Sequence, residues 1–179
     1  EGTNNIPKAG HCVYVCNHAS LVDIPVLMAG IDDDIRIMYK RELRRIPIFG
    51  WILATAPFIP IDRDNARNAM EGIERALAGI QQGSSVIVFA EGTRSPDGKL
   101  GMFKRGAFLL AARAQKPIVP VAIIGSNAIL PSRTSQIRPG VVRIVITPAI
   151  EAGAIDRTKE KELMVTVHSI IAAELDAGR

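Results

Sequence analysis

The sequence predicts an α/β layered fold in one domain, a mostly buried, mixed β-sheet flanked by helices. β-rich runs alternate with helical patterns along the chain. Several runs are apolar without interruption, as in strands covered on both faces. A length of 179 residues suits one core. The runs fall at 11–16, 35–40, 56–61, 84–90, 118–124 and 141–147. Strand order and direction are not written in these patterns.

The clearest helical pattern is DNARNAMEGIERALAGIQQG. Ala66, Ala69, Met70, Ile73, Ala76, Leu77 and Ile80 recur there at three- and four-residue steps. Asp64 is the predicted N-cap, and Gly83 stands just past the end. Residues 103–115 predict a second helix, stopped before Pro117. Residues 157–177 predict a third, with Leu163, Val167, Ile170 and Ile171 on one face.

Apolar residues make up 47% and charged residues 22%, the balance of a folded chain. Aromatics are only 4%, so the core is built from Ile, Val, Leu and Ala. That offers no stacking platform for single strands, and no nucleic-acid partner is expected. The net charge of +4 is mild and by itself is compatible with nucleic acid, anionic lipid or phosphorylated small molecules. It concentrates in Lys40, Arg41, Arg44 and Arg45, against only Glu42. This cluster is either a solvated turn or an attraction to an anionic membrane surface.

Cys12 and Cys16 share a predicted strand, roughly 13 Å apart at strand rise. That is beyond disulfide reach, and both read as buried small hydrophobes. No apolar run reaches the ~18 residues of a spanning helix. The uncharged stretches 46–61 and 117–132 are broken by Pro47, Pro57 and Pro60, and by Pro117, Pro120 and Pro131, against continuous helices. The first holds Phe49 and Trp51 beside the cationic cluster and suits dipping into a membrane interface.

Two loops carry unusual chemistry, and in such sheets ligands gather where strand ends meet loops. The first is VCNHASLVDIP. On one regular helix the five-residue step from His18 to Asp23 leaves the side chains roughly 140° apart. They meet if His18 stays on the loop and Asp23 enters the first turn, with Ser20 as N-cap and Pro25 tolerated early. The carboxylate would then fix one ring nitrogen and leave the other as a base. The alternative is a helix start decorated by Asp23 and a strand merely ended by His18. No third ligand at suitable spacing supports a metal site. His11 and His168 read as ordinary surface or edge histidines. Cys16, two residues before His18, offers a thiolate alternative. No GxSxG elbow is present.

The second loop is FAEGTRSPDGK. Gly92 permits close backbone approach, Thr93 and Ser95 offer hydroxyls, and Arg94 offers a fork matched to phosphate. Lys104 and Arg105 follow at the predicted helix start. A nucleotide-binding loop is excluded, because GxxxxGK[ST] spacing is absent. An Arg–Glu pair tying down a turn is the plainer alternative.

Together, NHASLVD and FAEGTRS resemble blocks of the glycerolipid acyltransferases, and among them the 1-acyl-sn-glycerol-3-phosphate acyltransferases. Asn17, His18 and Asp23 match the NHxxxxD block, and Glu91, Gly92, Thr93, Arg94 and Ser95 match EGTRS. IVPVAI around Pro120 matches the final apolar block, and YKRELRRIPIFGW and MFKRGAFLLA extend the likeness from about residue 12 to 150. The second block departs: APFIPIDR has Ala56 and Pro57 where glycine usually opens it, and an extra Pro60, although Arg63 remains.

The resemblance implies a glycerol-3-phosphate acyltransferase-like fold. His18 would take the proton from the sn-2 hydroxyl of lysophosphatidic acid as it attacks an acyl thioester, with Asp23 holding the imidazole. Arg63 and Arg94, with Lys104 and Arg105, would grip the phosphate. Asn17, Glu91, Gly92, Thr93 and Ser95 would complete the substrate site. The donor would be acyl-CoA or acyl-carrier protein, with no cofactor and no metal. The same machinery on glycerol-3-phosphate or another lysophospholipid, or a catalytically silent lipid-binding module, are the rivals. Residues 1–179 are expected to be an acyltransferase domain on the cytoplasmic face of a membrane, lacking an N-terminal anchoring segment.

Overall fold

A computed structural model describes residues 1–8, 10–46, 49–62, 66–132, 134, 136–153 and 157–178. The strands are β1 (Val13–Cys16), β2 (Ile35–Lys40), β3 (Ile59–Ile61), β4 (Ser85–Phe89), β5 (Ile118–Ile124) and β6 (Arg143–Ile146). The helices are α1 (Asp23–Gly30), α2 (Phe49–Thr55), α3 (Ala66–Gln81), α4 (Gly106–Ala114), α5 (Ser126–Ile129) and α6 (Arg157–Ala177). One sheet runs in the order β3-β2-β4-β1-β5-β6. β3, β2, β4, β1 and β5 are mutually parallel, and β6 closes the edge antiparallel to β5. The mixed sheet therefore owes its name to one reversed strand at one edge.

Both sheet faces are covered, which explains the unbroken apolar runs of β1, β4 and β5. Val13, Val15, Val86 and Val88 meet Ile73, Ala76 and Ile80 of α3, Phe108 and Leu110 of α4, and Val167 and Ile171 of α6. The alternate residues Tyr14, Cys16, Ile87 and Phe89 meet Leu27 of α1 and Ile31 on the opposite face. Cys12 and Cys16 are free and buried.

Gly83 ends α3 as expected. At φ +98 it lets the Gly83 amide reach the Ile80 carbonyl and the Ser84 amide reach the Gly79 carbonyl. Asp64, the predicted cap at the other end, lies outside the described residues. Two expectations change. The segment 103–105 is not helical, because the Lys104 amide donates to the Ala90 carbonyl at 2.7 Å and extends the end of β4. Only Ile59–Ile61 of the run 56–61 pairs as a strand. The stretch 46–61 also holds the two-turn α2, which fits between its prolines. Among the described residues no helix is long and apolar enough to cross a membrane.

Candidate active site

β1 and β4 end side by side, with Cys16 opposite Phe89. The Ala90 amide continues the ladder to the Cys16 carbonyl at 3.1 Å. Each strand then opens into its loop, so His18 and Glu91, 73 residues apart, meet at one mouth. The His18 amide donates to Glu91 Oε1 at 2.8 Å, and the Ser95 amide donates back to the His18 carbonyl at 2.8 Å. The Gly101 amide occupies the other Glu91 oxygen, Oε2, at 2.8 Å.

Asp23 stands in the first turn of α1, and His18 remains on the loop. Their side chains close, with His18 Nδ1 2.8 Å from Asp23 Oδ2. The same oxygen accepts the Ala19 and Ser20 amides, each at 2.9 Å. Those amides belong to the loop before α1, and no side chain caps the helix itself, so the cap expected of Ser20 is not formed. The Ser20 hydroxyl instead donates to the Leu130 carbonyl at 2.7 Å and accepts the Val22 amide at 3.3 Å. Asp23 is fully buried, and its Oδ1 has no hydrogen-bond partner among the described residues. With the carboxylate on Nδ1, that nitrogen carries the proton and Nε2 is left as the basic one. The ring lies flat on Phe89, centroids 3.9 Å apart and planes 20° from parallel. Its side chain keeps 14% of its surface open, enough for an exposed edge.

That edge borders a cleft of about 220 Å³ whose walls include Ile24, Met38, Tyr39, Leu43, Thr93 and Arg94. Among the described residues Arg94 has no hydrogen-bond or ion-pair partner, as suits a guanidinium awaiting an anion. An apolar cavity of about 210 Å³ adjoins the cleft, sharing Met38, Phe89 and Gly92, and is lined by Ile61, Ile73, Val88 and Ala107. Gly92 sits at φ +76, and a Cβ there would stand 2.9 Å from Lys104 Cδ. Glycine is thus favoured by the turn, while the flexible lysine stem crossing it could shift aside for a side chain. Burial pushes the Glu91 carboxyl above the usual range, opposed by the two amides donated to it.

Of the expected substrate residues, Gly92, Thr93 and Arg94 line the cleft with His18, and Lys104 borders the adjoining cavity. Asn17 does not face it. Buried, it exchanges hydrogen bonds with the Ile123 backbone at 2.7 and 3.0 Å and locks β1 to β5. Glu91 and Ser95 act on the backbone around His18, as above, and the Ser95 hydroxyl turns to Asp97 at 3.0 Å. Arg105 points away, its guanidinium forked onto Glu160 of α6. Arg63 lies outside the described residues. Cys16 is wholly buried, and burial and then the Asp23 charge hold its thiol well above the ordinary range, so no thiolate is available there. Among the described residues no trio of His, Cys, Asp or Glu is placed to hold a metal. Phe89 and Gly101 carry no signal of their role in the sequence; one is an apolar strand residue, the other a loop glycine.

A family model described as acyltransferase matches residues 1–124. The chain is 35% identical over 158 residues to a chloroplastic 1-acyl-sn-glycerol-3-phosphate acyltransferase of Brassica napus, covering 87% of this chain and 46% of that protein. It is 34% identical over 153 residues to the 1-acyl-sn-glycerol-3-phosphate acyltransferase of Pseudomonas aeruginosa, covering 85% of this chain and 58% of that protein. The crystal structure of the 1-acyl-sn-glycerophosphate acyltransferase from Thermotoga maritima superposes with a TM-score of 0.84 at 29% identity, covering 99% of this chain and 70% of that one. The chain thus spans about half the length of the curated relatives it matches.

Proposed function

The chain belongs to the acyltransferase family, and we propose that it transfers a fatty acyl group from acyl-CoA or acyl-carrier protein to the sn-2 hydroxyl of lysophosphatidic acid, giving phosphatidic acid. The observation that carries this reading is the His18–Asp23 pair opening onto a cleft that also holds Arg94, which has no partner among the described residues. His18 Nε2 removes the hydroxyl proton as the oxygen bonds to the thioester carbonyl carbon. The Asp23 carboxylate stabilises the imidazolium so formed. Collapse of the tetrahedral intermediate breaks the carbon–sulfur bond, and the imidazolium returns its proton to the departing thiolate. No acyl-enzyme forms.

Arg94, with Lys104 at the edge of the adjoining cavity, takes the acceptor's phosphate, and that cavity takes an acyl chain. Arg41, Arg44 and Arg45, beside Trp51 at 74% exposure, seat the domain on the anionic cytoplasmic face of a membrane. Side-by-side turnover of lysophosphatidic acid, glycerol-3-phosphate and lysophosphatidylcholine with both donors tests the assignment. Lysophosphatidic acid should give the highest kcat/KM, and His18→Ala should lower kcat by about 10²–10⁴-fold without loss of fold. Faster turnover of glycerol-3-phosphate would reassign the acceptor. An unaffected His18→Ala variant would leave only a lipid-binding module.

A further inference from the structure

The family match ends at residue 124, and α6 lies beyond it, yet one side chain of α6 touches the backbone that frames His18. His168 Nε2 lies 3.2 Å from the Gly101 carbonyl oxygen. A carbonyl only accepts, so Nε2 is the protonated nitrogen of that ring. Phe103 meets the imidazole edge-on, centroids 4.9 Å apart at 67°, and is itself buried against Phe108. The ring is thus held in place on one side by α6 and on the other by the core.

Gly101 is the far end of the loop that leaves Glu91, ten residues on. Its amide holds Glu91 Oε2, while Glu91 Oε1 holds the His18 amide, each at 2.8 Å. A Cβ at Gly101 would stand 2.8 Å from Glu91 Oε2 and would push that carboxylate aside; as a glycine, the residue has no side-chain packing to fix it. Its orientation rests on its two backbone groups. The amide is held by Glu91 and the carbonyl by His168.

We propose that His168 is a positioning residue for acyl transfer, locking Gly101 so that Glu91 presents a fixed carboxylate to the His18 amide. It touches no substrate. Three links separate it from the reacting nitrogen: the Gly101 peptide, the Glu91 carboxylate and the His18 main chain. The requirement is an N–H donor at the reach of Nε2. Glutamine supplies one at that reach; asparagine stops a bond short; alanine supplies none. The catalytic consequence rests on the reading of His18 as the base, whereas the lock itself does not.

The test uses the full chain with His168→Gln, His168→Asn and His168→Ala. Amide hydrogen exchange at His18 and Gly101 should speed up about tenfold in the Ala and Asn variants, the loss of one net hydrogen bond. With saturating acyl-CoA and lysophosphatidic acid, kcat of these two should fall by about 10–100-fold, the scale of a sub-ångström to ångström misplacement. The acceptor KM should stay within about twofold, since no binding group is removed. His168→Gln should restore both exchange protection and kcat. A glutamine variant no better than asparagine, a loss confined to KM, or unchanged exchange in the Ala and Asn variants would overturn the proposal, and the Gln–Asn pair decides it should Ala not fold. Should exchange respond as expected while the unaltered chain turns over no lysophosphatidic acid, the assigned reaction falls and the lock stands.

Discussion

On the His18 side of the cleft two buried carboxylates tie the site to main-chain amides, whereas in the neighbouring cationic cluster the arginine side chains are exposed. Asp23 Oδ2 gathers two amides and one imidazole nitrogen, and Glu91 gathers two amides. Both carboxylates are buried, so each hydrogen bond acts in a weakly screened setting. Next to the cleft residues Lys40 and Leu43, Arg41, Arg44 and Arg45 are exposed, and Lys40 lies 3.8 Å from Glu42 with both side chains over two-fifths open. Such pairs contribute little to stability. Proton transfer needs its partners fixed to within tenths of an ångström; attraction to a charged surface does not. The same molecule spends rigidity on one wall and leaves the other loose.

Asp23→Asn attacks the rigid wall. An asparagine oxygen can still accept the Ala19 and Ser20 amides, but it carries no charge to stabilise the imidazolium. We expect kcat to fall by about 10²–10⁴-fold while the melting temperature holds or rises, since a buried charge disappears. A small loss of activity would mean that this wall only shapes the loop. Arg94→Ala probes the border between the two walls. Loss of a charge-assisted contact to phosphate should lower kcat/KM for lysophosphatidic acid by about 10–100-fold. An equal loss with an uncharged lysolipid would show that Arg94 serves the fold instead.

Arg44→Ser with Arg45→Ser tests the loose wall and should have the smallest effect on chemistry. Each cation near an anionic surface contributes about 1 kcal/mol, so binding to phosphatidylserine vesicles should weaken by about 10–30-fold. Turnover of a dispersed short-chain acceptor should stay within about twofold. Strong loss of that turnover would erase the contrast between the walls.

The strands were legible because β1, β4 and β5 are covered on both faces and spell themselves as apolar runs. α3 announces itself by its three- and four-residue steps and by Gly83. α2 does not: seven residues between prolines leave no room for a periodic stripe. Within the site, the closing of His18 onto Asp23 is legible because it is local. Glu91, Arg105 and Asn17 are harder, because their partners lie 73, 55 and 106 residues away. A carboxylate that grips main-chain amides looks, in sequence, like one awaiting a ligand. His168 is the extreme case, a lone helical histidine whose partner is a glycine carbonyl.

The stack of His18 on Phe89 has a directional consequence. An imidazole lone pair lies in the plane of its ring, and this ring rests on an aromatic floor that seals one of its faces. In the proposed reaction an alcohol would therefore approach Nε2 level with that floor. Phe89 also lines the adjoining apolar cavity, so the surface that covers the imidazole is continuous with the space proposed for an acyl chain.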